Sequence, residues 1–126
     1  MNTPTRIQTF TFDSTRVCVD RSGAAFVSNI DDRRGHTLSA YPVARNEDLH
    51  PEHWEEHPQG DEVLLMCSGA LDVVTRFENV DTSTRLDAGH GLIVPRGVWH
   101  RLALRKPGLL IALTPRAGTR MCSAPL

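Results

Sequence analysis

Residues 54–69 read WEEHPQGDEVLLMCSG, and residues 89–104 read GHGLIVPRGVWHRLAL. In an extended chain successive side chains face opposite ways, so Glu55 and His57 can aim at one point. Gly60 lets the chain bend, and Glu62 then re-enters on the face that carries Leu64 and Met66. In the second stretch His100 shares a face with Leu102 and Leu104, which sets an imidazole on an otherwise apolar side. Two imidazoles with one or two carboxylates converging in an apolar interior are costly to leave unpaired. A divalent cation removes that cost. Imidazole with carboxylate suits Fe, Mn, Ni, Zn or Cu, and two His with one carboxylate is the facial-triad set of non-haem iron. Such a set leaves coordination positions open, as structural zinc sites do not.

Outward from these stretches the chain is punctuated at even intervals by Pro, Gly and small polar residues, which predicts an all-β protein. Strands are expected at Ile7 to Phe12, Val17 to Val19, Ala24 to Ile30 and Thr37 to Val43. Residues 62–77 predict a hairpin of two apolar runs joined at Ser68–Ala70, where Gly69 supplies a positive φ. Further strands are expected at 83–86, 92–95, 98–104 and 109–113, with residues 115–126 as loop. Val63, Leu65, Leu71, Val73, Ile93, Val94, Leu109 and Ile111 are the expected core, and Cys67 is expected to be buried with them. About ten short strands without a convincing amphipathic helix indicate a sandwich or closed barrel.

The chain of 126 residues suits one domain, residues 1–126, around one core. Its net charge of -1 and scattered basic residues speak against nucleic acid as a partner. No segment is apolar over the ~18 residues that span a bilayer, and the N-terminal residues lack the apolar core of a leader, so a cytoplasmic protein without membrane contact is expected. Three widely spaced cysteines form no CxxC pair, which predicts free thiols.

The two stretches resemble the paired motifs of the cupin superfamily. Its first motif is HxH, three or four residues, Glu, six residues, Gly, and His57, Glu62 and Gly69 stand at those positions. Its second is Gly, five residues, Pro, one residue, Gly, two residues, His, and Gly89, Pro95, Gly97 and His100 match it. Motif 1 thus falls around 55–69 and motif 2 around 89–104. Glu55 stands where the leading His usually is, and Leu104 where the second motif usually ends in Asn. The resemblance implies a jelly-roll barrel, a double-stranded β-helix, with one divalent ion (Fe, Mn, Ni or Zn) held by Glu55, His57, Glu62 and His100. It implies a small-molecule ligand or substrate and a metal-dependent enzyme of dioxygenase or isomerase type. The alternative is a non-catalytic small-molecule-binding or sensor module, since so many functions share this fold. A homodimer is expected, as cupins of this size pair and an edge strand at Ile7 to Phe12 needs cover.

One rival reading rests on His50, His53 and His57, whose spacings of three and four would align them along a helix over residues 46–57 and bind zinc there. That arrangement leaves Glu62, Gly69, Gly97 and His100 unused. Glu47, Asp48, Glu52, Glu56 and Asp61 read as a solvated acidic face, and Trp99 must point away from His100.

Overall fold

Alternation of apolar and polar residues sets nine strands into one curled sheet, seen in a computed structural model that describes residues 6–13, 15–29 and 34–123. In chain order they are β1 (Arg16–Asp20), β2 (Ala25–Ser28), β3 (Gly35–Val43), β4 (Trp54–Glu56), β5 (Glu62–Phe77), β6 (Val80–Asp87), β7 (Gly91–Val94), β8 (Trp99–Pro115) and β9 (Arg120–Cys122). A single 3-10 turn, Asn46–Leu49, precedes β4. The strands run β2-β1-β3-β8-β4-β9, and β5 pairs with β6, β7 and β8.

The long strands β5 and β8 form the spine. Residues 62–77 are one continuous strand and not the expected hairpin, because the register shifts between Met66 and Leu71 absorb Ser68 to Ala70 as a bulge. Gly69 does have a positive φ of 76°, but a Cβ there would stand 2.5 Å from the Lys106 carbonyl oxygen. The glycine serves the close approach of β8. The hairpin lies further on, at Glu78 and Asn79, whose φ values of 50° and 65° turn the chain from Phe77 into Val80. Residues 98–104 and 109–113 likewise fuse into β8, paired along almost its whole length.

The core is made by Leu64, Met66, Leu71, Val73, Leu86, Val94, Leu110 and Ala112, with Val43. Of the expected core, Leu71, Val73 and Val94 lie there. Val63, Leu65, Ile93, Leu109 and Ile111 instead face outward, because each alternates with an inward neighbour. Cys67 is exposed for the same reason. Residues 7–12 form no strand, and Phe10 lies beside Val17 and Phe26 over β1 and β2. The expected strand over Ala24 to Ile30 is β2, with Ile30 outside the described residues. Residues 120–122 are not loop but an edge strand against β4.

Candidate metal centre

Local structure brings the two motif stretches together. Pro95 to Val98 form a turn closed by the Val98 N–H donating to the Pro95 carbonyl at 3.2 Å, with Gly97 at a φ of 74°. Two amides of this turn reach the first motif: Gly97 N–H donates to the His57 carbonyl at 3.0 Å, and Arg96 N–H to the Asp61 carboxylate at 2.8 Å. Asp61 therefore clamps a turn instead of merely facing solvent. Beyond the turn, His100 pairs with Glu55 across β8 and β4.

The result is a buried cluster. Glu55, His57 and His100 each bring one donor atom within 4.8 Å of the others. The two rings have centroids 5.3 Å apart. Glu62 lies between them, with Oε1 3.0 Å from His100 Nε2 and Oε2 3.4 Å from His57 Nε2. Glu55 Oε2 is 3.6 Å from His57 Nε2. All four sequence-nominated residues thus meet at one place.

Contacts behind the donors orient them. His100 Nδ1 is 3.0 Å from the Val98 carbonyl, which can only accept, so Nδ1 carries the proton and Nε2 faces the cluster. His57 Nδ1 is 2.8 Å from Thr119 Oγ1, and the Thr114 hydroxyl donates to Glu62 Oε2 at 2.6 Å. Such outer partners hold metal-ligating imidazoles and carboxylates in place. Burial alone would raise the Glu62 carboxyl, but hydrogen bonds and charge from His100 and His57 outweigh it and hold it well below the usual carboxylate range. Burial likewise disfavours a charged His100, yet the hydrogen bond and charge of Glu62, the Val98 carbonyl and the charge of Glu55 raise it above the ordinary imidazole value.

Within the donor cluster, one atom of the described residues is left over. His57 Nε2 is buried, in a residue only 2% exposed, and has no hydrogen-bond partner. Nδ1 is engaged by Thr119, and Nε2 stands 3.6 Å from Glu55 Oε2 and 3.4 Å from Glu62 Oε2, contacts that no well-formed hydrogen bond satisfies and that a cation among them would. The donor chemistry fits a divalent metal. Beside the donors opens a cavity of about 190 Å³. Glu55, Glu62 and His100 form its floor, Leu64, Leu102 and Leu110 an apolar wall, and His50, His53 and Arg116 a polar one.

Among solved structures the chain aligns with a cupin-2 domain protein from Shewanella frigidimarina at a TM-score of 0.51 and 24% identity, over 69% of this chain and 76% of that one. The chain has the cupin fold. Hydroxypropylphosphonic acid epoxidase from S. wedmorenis, solved with fosfomycin, aligns at a TM-score of 0.57 and 14% identity over 86% of this chain. HEPD from Streptomyces albus, solved with 2-hydroxyethylphosphonate and Fe(II), aligns at 0.55 and 20% over 71%. The aligned parts are 59% and 20% of those two enzymes, so this chain spans only part of each. No family model and no curated protein matches the sequence.

Within the cupin barrel several contributors escaped sequence reasoning. Thr114 and Thr119 lie far along the chain from the residues they hold, and nothing in their spacing announces them. Glu56 is no part of a solvated acidic face: it is buried and accepts a 2.6 Å hydrogen bond from Arg120 Nε on β9. Asp48 caps the turn before β4, accepting from the Ala44 and Arg45 amides. The helix of His50, His53 and His57 is absent, since the 3-10 turn ends at Leu49 and His57 follows strand β4.

Proposed function

We propose that this cupin holds one divalent metal ion with His57, His100, Glu62 and Glu55, and that it acts as a metal-dependent enzyme on a small organic molecule. The observation that carries the reading is the unpartnered, buried Nε2 of His57, aimed at two carboxylates beside a second imidazole and an open cavity. Fe, Mn, Ni and Zn all suit these donors. Bound there, the ion would supply Lewis acidity or redox chemistry with coordination positions left for substrate.

The protein's own part is binding, orientation and exclusion of water. The cavity is smaller than the roughly 300 Å³ of sites for drug-sized ligands, which favours a compact substrate. Leu64, Leu102 and Leu110 keep water from one side of it. Thr119 and the Val98 carbonyl hold the Nδ1 protons of His57 and His100, so that both Nε2 lone pairs serve the ion. Free cysteines, with Cys67 exposed, suit a reducing cytoplasm.

Metal analysis of protein expressed without a metal-binding tag, with an oxygen-uptake screen across small hydroxy, keto and phosphonate acids, tests the proposal. Stoichiometric metal lost in both His57→Ala and His100→Ala is expected. Metal retained by both variants would overturn the site, and tight ligand binding without turnover would make the protein a binding module.

A further inference from the structure

His50 and His53 lie outside the donor cluster yet line the same cavity. A tight turn holds them together. His53 N–H donates to the His50 carbonyl at 2.9 Å, and Pro51 presets the backbone between them. His50 sits in the left-handed region at a φ of 48°, its N–H bonded to the Glu47 carbonyl at 3.1 Å. The segment before it is fastened by Asp48, which accepts from Ala44 and Arg45 amides at 2.9 and 3.0 Å. The two rings consequently stack, with centroids 5.8 Å apart and planes 13° from parallel. Glu52 Oε1 lies 3.7 Å from His53 Nε2. One nitrogen from each ring and one Glu52 oxygen fall within 4.8 Å of one another. Ligands bound at about 2.0–2.2 Å to one tetrahedral ion sit about 3.3–3.6 Å apart, so the donors must close by roughly an ångström, which side-chain rotations at this open rim supply.

We propose that His50, Glu52 and His53 form a second divalent-metal site at the rim of the cavity, suited to a borderline ion such as Zn²⁺ that takes imidazole nitrogen together with carboxylate oxygen. The rim site differs from the inner one in exposure. Its ion keeps water ligands, exchanges readily and binds more weakly. Because His50 and His53 line the same cavity as Glu55, Glu62 and His100, loading the rim sets a positive charge at the entrance to the inner site.

The test is a Zn²⁺ titration of tag-free protein against a chromophoric chelator, with histidine ring shifts followed by NMR. Wild type should take up two equivalents, one tight and one weak, with the His50 and His53 signals moving only in the second phase. The double variant His50→Ala, His53→Ala should keep the tight equivalent alone, and Glu52→Gln should weaken the second by about tenfold or more. His57→Ala should keep the weak equivalent, which separates the rim from the inner site. If that variant does not fold, the exposed rim substitutions still decide. A single equivalent in wild type, or a second one that survives loss of both rim histidines, overturns the proposal.

Discussion

The proposed ligands depend on residues that never touch the ion. Thr119 and Thr114 fix the His57 ring and the Glu62 carboxylate by single hydrogen bonds, so Thr119→Val and Thr114→Val should each lower metal affinity about 10- to 100-fold while leaving the fold intact. Competition with a chelator of known affinity measures this. Protonation offers a second check, in the metal-free protein. Glu62 is lowered, so its contribution is present above the ordinary carboxylate value and lost as pH falls toward its folded pKa. His100 is raised, so its contribution is present below the ordinary imidazole value and lost as pH rises through its folded pKa. Metal-free protein should therefore be most stable between about pH 4.5 and 6.5 and lose stability toward pH 8, the alkaline loss flattening in His100→Gln. Metal affinity should run the other way, strengthening as pH rises and the His100 proton leaves. Melting temperatures of chelated protein against pH, beside metal titrations at the same pH values, give both curves.

Among the strands, the decisive feature is the bulge where β5 runs beside β8. Gly69 combines a positive φ with a Cβ position only 2.5 Å from the carbonyl oxygens of Lys106 and Pro107, and a Cβ on Gly108 would stand 2.0 Å from that of Ser68. Backbone, not side chain, fills both places. Gly69→Ala should destabilise by on the order of 2 kcal/mol or more, since left-handed strain adds to a clash that backbone atoms cannot escape. Urea unfolding measures it, and an unchanged midpoint would show that the bulge relaxes freely. The hairpin expected here and the bulge found here use the same glycine. A local pattern of apolar run, Ser-Gly-Ala, apolar run suits either, and only the passage of β8 alongside favours continuity.

Across the whole molecule the sheet has two faces of different use. The inner face carries the core and the donor cluster. The outer face carries a cross-strand row, Ile93, Val63, Leu113 and Leu38, beside Leu65 and Ile111, with Ile93 64% and Leu65 44% exposed. Apolar rows of this kind mark association surfaces, and we infer a homodimer that covers this face. Its cause is not an edge strand at Ile7 to Phe12, which does not form. Light scattering should give a dimer mass for wild type and a monomer for Leu65→Lys with Ile93→Lys; a monomeric wild type at micromolar concentration would refute the pairing. The separate inner core should also let the chain fold without metal. Chelation is expected to lower the melting temperature, removing about 2.7 kcal/mol at free metal a hundred times the dissociation constant, and to leave one cooperative transition.

The all-β class, the cupin resemblance and the four side chains that meet were legible in the amino-acid order alone. Each of those readings rests on period-two alternation or on fixed spacing within a short stretch, and such order is local. Glu62, Leu64 and Met66 share a face wherever β5 is placed. Folding alone brought together partners remote in the chain: Thr119 behind His57, Arg120 on buried Glu56, β8 against Gly69, and His50 and His53 on the wall of one cavity. Alternation also told the faces of each strand apart without telling which faced inward. Packing chose, because only one set of alternating residues on β5, β7 and β8 can close around a common interior, and that choice sent Leu65, Cys67 and Ile93 to the outside.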